Sequence, residues 1–222
     1  MSLAVIPARG GSKRIPRKNI RLFAGRPVIA WSIAAAREAG LERVVVSTDD
    51  EEIAAIAMAE GAEVPFRRPT ALADDLTPTR PVIAHAVEAL GAEGPVACIY
   101  PAAPFLEGAD LRAGLAALGP GVTYALAVTL YPHPIQRALR RHPDGRIEML
   151  SPEHAHTRSQ DLEEAWHDAG QFYCADAATW ATDAPILSSR SVGIPLPGHR
   201  AHDIDTEEDW ERAERMFQAH LT

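Results

Sequence analysis

The chain has 222 residues, 46% of them hydrophobic, and its 22 basic against 30 acidic side chains give a formal net charge of −8. That length allows one α/β domain with an insertion, or two small domains, and the acidic balance excludes general binding to nucleic acid or to an anionic membrane surface. With no charged, apolar leader and no apolar run approaching 18 residues, a soluble cytoplasmic protein is expected. The two cysteines, Cys98 and Cys174, lie in strand-like runs and read as buried free thiols.

Residues 3–6 form a short apolar run suited to a buried first strand. A long loop follows, to about Gly25. It holds both lysines, Lys13 and Lys18, of a chain with twenty arginines, and from Arg9 to Arg26 it carries seven basic side chains and no acidic one. Lys is a compact point charge where Arg is a planar fork, and the contrast points to a polyanion held in this loop. Pro27 suits the first turn of a helix, with Ile29, Ile33 and Ala36 as its apolar stripe and an end near Gly40. Residues 43–47 read as a second strand. Thr48-Asp49-Asp50-Glu51 fits a capping box for the next helix, which Gly61 closes.

Helices over 78–90 and 109–118 then alternate with strands over 96–100 and 124–130. This rhythm implies right-handed crossovers and an α/β fold with a mainly parallel sheet. Ligands of such sheets bind beyond the carboxyl ends of the strands, the edge from which the basic loop departs. From Tyr131 to about Asp168 the rhythm breaks. His133, His142, His154, His156 and His167 crowd into a polar, Pro-rich stretch, and Pro143-Asp144-Gly145 suits a hairpin turn. Lacking a tight ligand pair, the stretch reads as a solvated or subunit-contact insertion over 131–170, not a zinc site. The core, 1–130 with 171–222, resumes at Gln171 and ends in an amphipathic helix over 206–220 that aligns Trp210, Ala213 and Phe217.

The basic loop lacks the Gly-Lys-Ser/Thr of a Walker loop and the Gly-x-Gly-x-x-Gly of a dinucleotide loop. Gly10 and Gly11 allow backbone amides to approach phosphate oxygens, Ser12 can donate a hydrogen bond, and Arg9, Lys13 and Lys18 can neutralise a leaving polyphosphate. Asp203 and Asp205 stand at i and i+2 before the last helix, so an extended backbone would turn both to one side. Their residue-level readings are a helix cap or a pair of hard ligands for a cation such as Mg²⁺.

Ile6-Pro7-Ala8-Arg9-Gly10-Gly11-Ser12-Lys13, with Lys18-Asn19 after it, resembles the signature of the CMP-sugar synthetases that act on nonulosonic acids, the acylneuraminate cytidylyltransferases. Arg67-Arg68-Pro69 with Leu72-Ala73-Asp74-Asp75, and Asp203-Ile204-Asp205-Thr206-Glu207-Glu208-Asp209-Trp210, are similar to two further motifs, so the resemblance spans nearly the whole chain. Ile15-Pro16-Arg17, Ile99-Tyr100 before Ala103-Pro104-Phe105, and Asp168-Ala169-Gly170-Gln171-Phe172-Tyr173 resemble the pseudaminic acid branch.

The resemblance implies a three-layer Rossmann-like (GT-A-like) nucleotidyltransferase fold, and a homodimer joined through 131–170. It implies attack by the anomeric hydroxyl of a nine-carbon sugar acid on the α-phosphorus of CTP, with release of pyrophosphate. Ala8, Arg9, Gly10, Gly11, Ser12, Lys13, Asn19, Arg68 and Thr79 would bind nucleotide, and Lys18, Tyr100, Arg158, Gln171 and Tyr173 would face the sugar. Arg9 and Lys18 would be catalytic together with Asp203 and Asp205, which the resemblance makes ligands of Mg²⁺ or Mn²⁺. No side chain stands out as a general base. Tyr100 replaces the Gln of many sialic acid enzymes, and Ala102 replaces a usual Thr, removing a hydroxyl near the nucleotide. N-acetylneuraminic, legionaminic and keto-deoxyoctulosonic acids are the alternative acceptors. An inactive nucleotide-sensing module and a guanylyltransferase acting on a molybdopterin-type cofactor are the readings from other classes.

Overall fold

The structure, a computed structural model, describes residues 2–220. Leu3–Pro7 forms β1, in which Leu3, Val5 and Ala4, Ile6 alternate between two apolar layers, as the two-residue strand period requires. The chain beyond it is more ordered than the uninterrupted loop expected to Gly25. It makes a 3₁₀ turn over Lys18–Ile20 and a ribbon of Leu22–Phe23 (β2) with Arg26–Pro27 (β3), reversed at Ala24 and Gly25, both left-handed at φ 48° and 82°. Two fully buried side chains hold it. Ile15 and Phe23 join Val28, Phe105, Ile204, Trp210 and Phe217 in a third apolar cluster, where Phe23 meets Trp210 edge-on at 5.5 Å and Phe217 at 5.3 Å.

The alternating part follows the sequence pattern closely: α1 (Val28–Glu38), β4 (Arg43–Ser47), α2 (Glu51–Ala59), α3 (Thr79–Leu90), β5 (Pro95–Ile99), α4 (Gly108–Ala116) and β6 (Tyr124–Leu130). Pro27 lies at the cap of α1 and not within it. The α2 cap also differs from the expected box. Asp50, not Thr48, stands at the cap and accepts the Ile53 amide at 2.9 Å.

After β6 the chain leaves the sheet. Residues 131–165 carry the hairpin of Leu139–Arg141 (β7) and Ile147–Met149 (β8), turned through Asp144 and Gly145, the latter left-handed at φ 87°. The sheet resumes at β9 (Trp166–Asp176), ahead of the expected Gln171, and α5 (Ala177–Trp180), β10 (Ser191–Pro195) and α6 (Glu207–His220) complete the fold.

The six-stranded sheet runs β10-β6-β9-β5-β1-β4. β1 pairs in parallel with β4 and β5, and β10 with β6, whereas β9 is antiparallel to both its neighbours. Its direction follows from connectivity. The chain departs β6 at the carboxyl end and returns there without a crossover helix, so Leu130 pairs with Trp166. The sequence rhythm foresaw neither this reversal nor β10.

One face of the sheet packs Ile6, Val46 and Phe172 against Ile29 and Ile33 of α1, Ile53 of α2 and Leu111 of α4. The other packs Val5, Val45 and Tyr173 against Ile83 and Val87 of α3 and Trp180 of α5. Cys98 and Cys174 are buried free thiols on these opposite faces. Among the described residues no helix is long and apolar enough to cross a membrane.

Candidate active site

The carboxyl edge of β1 becomes a site because the chain turns sharply there and is pinned from several sides. Ala8 is fully buried and its amide donates to the Ser47 carbonyl at 2.9 Å, fastening the turn to β4. The Gly10 amide donates to Asp49 Oδ1 at 3.0 Å. A β-carbon on Gly10 would lie 2.7 Å from Asp50 Oδ2, so this close approach requires glycine. Asn19 Nδ2 reaches back to the Arg9 carbonyl at 2.9 Å. Thus Ala8, Gly10 and Asn19 shape the turn that presents Arg9, Ser12 and Lys13 to a cavity of about 530 Å³.

Arg17 holds the left-handed conformation at φ 56°, ψ 27°, which costs a non-glycine residue about 1–2 kcal/mol. Its guanidinium is tied to Asp50 at 2.6 Å and to Glu52, at the start of α2. That pairing holds the Asp50 carboxyl below the usual carboxylate range. The next residue, Lys18, is thereby aimed across the cavity, where Nζ donates to the Ile204 carbonyl at 2.7 Å and lies 3.3 Å from Asp205 Oδ1.

Asp205 lines the cavity and also pairs with Arg14 at 2.9 Å. Ile204, between the two aspartates, is buried in the third apolar cluster, so Asp203 and Asp205 turn away from it. Asp203 stands over Gly170, where an added β-carbon would lie 3.8 Å from its carboxyl carbon. Crowding by protein atoms, then the Asp205 charge, push the Asp203 carboxyl up, although the residue still reaches solvent. Neither aspartate caps α6. That work falls to Thr206 and Asp209, with the Asp209 carboxylate accepting the Thr206 amide at 3.0 Å and the Asp209 amide donating to Thr206 Oγ1 at 3.2 Å.

The opposite wall contains Arg68, Thr79 and Tyr100. Arg68 is buried and donates to the Ser47 carbonyl and to Ser47 Oγ, and burial draws its guanidinium down to about 10. Thr79 Oγ1 and Tyr100 Oη lie 2.9 Å apart, and Tyr173 packs edge-on behind Tyr100 at 5.6 Å. Tyr173 in turn donates to Asp168 Oδ2 at 2.6 Å. Burial pushes both phenols up.

Of the residues expected at the site, Arg9, Ser12, Lys13, Lys18, Asn19, Arg68, Thr79, Tyr100 and Asp205 share this cavity. Tyr173 supports its wall from behind. Gly11 is exposed outside the lining. Gln171 is buried, with Nε2 donating to the Arg200 carbonyl at 2.5 Å and Oε1 without a partner among the described residues. Arg158 is exposed in the excursion and pairs with Asp161 at 2.7 Å. Ala102 packs against the third apolar cluster and does not line the cavity. The sequence reading missed Arg14 and Thr77 as lining residues and Asp75 as a partner of the basic turn. Arg14 stood within the basic stretch and Asp75 within a quoted motif, but neither spacing revealed what each touches.

The site is thus a cation-rich turn at the carboxyl edge of an open α/β sheet, facing Asp205 across the cavity, while Asp203 is exposed outside the lining. CMP:2-keto-3-deoxy-manno-octonic acid synthetase complexed with CTP is a structural neighbour, with TM-score 0.71, 18% identity and 99% of each chain covered. A family model described as cytidylyltransferase matches residues 3–175. A pseudaminic acid cytidylyltransferase of Campylobacter jejuni subsp. jejuni is 38% identical over 98% of this chain and 96% of its own length. A CMP-N,N'-diacetyllegionaminic acid synthase of Legionella pneumophila is 32% identical over 97% of this chain and 96% of its own. The chain belongs to the cytidylyltransferase family.

Proposed function

We propose that this protein joins CTP to pseudaminic acid, giving the CMP-sugar and pyrophosphate. The observation that carries the reading is the meeting of the basic turn with Asp205 in one cavity, in a chain that matches a pseudaminic acid cytidylyltransferase over 98% of its length. In the reaction the anomeric oxygen of the sugar forms a bond to the α-phosphorus of CTP as the bond to the bridging oxygen of pyrophosphate breaks. Such transfer depends chiefly on positioning and charge stabilisation.

Arg9, Ser12 and Lys13 would hold the β- and γ-phosphates, and buried Arg68 would face the nucleoside side. Lys18 would stand at the transfer point, opposite Thr79 and Tyr100, with the Tyr100 hydroxyl turned to the sugar. The two carboxylates are hard-oxygen donors, and the Asp205 charge, which after burial pushes the Asp203 carboxyl up, is one a cation would relieve. Asp203 and Asp205 therefore fit Mg²⁺ or Mn²⁺, with water and phosphate oxygens as the other ligands. When bound, the ion supplies charge neutralisation along the triphosphate and a lower pKa for a coordinated hydroxyl.

The same reading takes the 131–170 insertion as the contact with a second copy, in the cytoplasm. Tyr131, Ile135, Leu139, Ile147, Leu150 and Trp166 leave it with a large exposed apolar surface. A role for Arg158 at the sugar depends on that second copy, since in one chain it lies outside the cavity. The test is pyrophosphate release from CTP with pseudaminic, N-acetylneuraminic, legionaminic and keto-deoxyoctulosonic acids in parallel. Pseudaminic acid should give the highest kcat/KM, and no turnover with it would refute the assignment.

A further inference from the structure

The basic turn already holds an anion. Arg9 Nη1 is paired with Asp75 Oδ1, and Lys13 Nζ with Asp75 Oδ2, so one carboxylate bridges the two cations. Asp75 comes from the segment between the 3₁₀ turn at Thr70–Leu72 and the start of α3. Its neighbour Asp74 is spent on that segment's own turn, accepting the Leu76 amide at 2.9 Å and the Thr77 amide and hydroxyl at 2.7 Å each. This internal turn leaves the Asp75 side chain free to project at the cations. Leu72, at the start of the segment, lines the cavity, whereas Leu76, at its tip, is 89% exposed.

We infer that Asp75 is an internal competitor for the polyphosphate site, occupying Arg9 and Lys13 between turnovers and helping to displace pyrophosphate after the transfer. The inference rests on the reading of Arg9 and Lys13 as the holders of the β- and γ-phosphates. A carboxylate and a phosphate bridging the same two cations oppose each other, because the carboxylate takes up donors of both and the two anions repel. Between turnovers Asp75 also keeps two like charges converged on one point, so the incoming triphosphate meets a formed site. The cost of this pre-organisation is weaker binding of every polyphosphate. Exposed ion pairs are individually weak, and two of them correspond to roughly a 2- to 30-fold reduction in affinity.

The sign of one substitution separates this from the ordinary alternative. If Asp75 were a ligand of substrate or of a cation, its removal would weaken binding. As a competitor, its removal strengthens it. Calorimetric titration of the full chain with inorganic pyrophosphate, without divalent metal, should show Asp75→Asn binding roughly 2- to 30-fold more tightly than wild type. Asp75→Ala should do the same, and circular dichroism melting of both variants would establish that they fold. Inhibition of CTP turnover by pyrophosphate should strengthen in parallel. Equal or weaker binding by both variants, with wild-type binding intact, would overturn the inference while leaving the site assignment standing. Failure of both wild type and variants to bind pyrophosphate and CTP would overturn the site assignment and the inference with it.

Discussion

Lys18→Ala is the substitution that tests the arrangement of the site most directly. Nζ makes one charge-assisted hydrogen bond, to the Ile204 carbonyl at 2.7 Å, and one ion pair, to Asp205 at 3.3 Å, from a side chain only 21% exposed. Asp205 keeps Arg14 at 2.9 Å when the lysine is gone, so no carboxylate is left unpaired. The folding penalty should therefore stay near a single hydrogen bond to a charged group, about 1.5–3 kcal/mol. Catalysis should suffer more. Loss of one donor aimed at developing charge typically costs about 10²–10³ in kcat, or roughly 2.7–4 kcal/mol. Arg9, Lys13 and Arg68 remain to bind CTP, so KM for CTP should change less than about fivefold on the same argument. Steady-state pyrophosphate release against CTP concentration measures both quantities. Lys18→Arg should recover little, because a planar fork does not replace a compact point charge. A large rise in KM with kcat within about threefold of wild type would refute the placement of Lys18 at the transfer point.

Two further outcomes follow from particular contacts. Asp110 and Arg200 form a buried bidentate pair at 2.6 and 3.0 Å, each side chain 10% exposed. Arg200 keeps Glu107 at 3.3 Å in the variant, so Asp110→Ala should lower unfolding free energy by about 1.5–3 kcal/mol, a fall in Tm of roughly 3–12 °C for a chain of this size, and a loss below about 0.5 kcal/mol in urea titration would contradict the burial argument. Asp50, depressed by Arg17, should contribute stability that is present above its unfolded pKa near about 4 and lost as pH falls through the lower folded value. Asn also caps helices well, so Asp50→Asn isolates the ion pair and should flatten the acid limb of stability against pH. An acid limb identical to that of wild type would show that the pair contributes nothing.

The parts of the fold visible in the sequence are those written in local periodicity. β1, β4 and β6 are continuous apolar runs, and α1 and α3 carry stripes bounded by Gly40 and Gly91 in left-handed turns. The direction of β9 is not local information. Its residues read as a strand either way, and only the absence of a crossover between Leu130 and Trp166 makes it antiparallel. Cavity residues showed themselves where charge broke with composition, as at Lys13 and Lys18, or within an acidic pair before the last helix, of which Asp205 lines the cavity and Asp203 does not. Gln171 and Tyr173 illustrate the limit. Both belong to a legible motif, but whether each faces the cavity depends on the strand's register and on the Arg200 carbonyl, 29 residues away along the chain.

The third apolar cluster is what turns two separate charged segments into one site. Lys18 and Asp205 are 187 residues apart along the chain, and nothing in the central sheet joins them directly. Ile15 and Phe23 flank Lys18 on one segment, while Ile204 and Trp210 flank Asp205 on the other, and all four are buried together. Arg21 reinforces the same contact, lying 4.5 Å over the Trp210 ring and pairing with Glu207 at 2.6 Å. Apolar burial is non-directional, so it can bring the segments together without fixing their register. The directional bonds from Lys18 to the Ile204 carbonyl and to Asp205 supply that register. In this division of labour, the side chains that assemble the site and those assigned its chemistry alternate within a few residues of each other. That is why a stretch that looked like a bare basic loop is anchored to the core at Ile15 and Phe23.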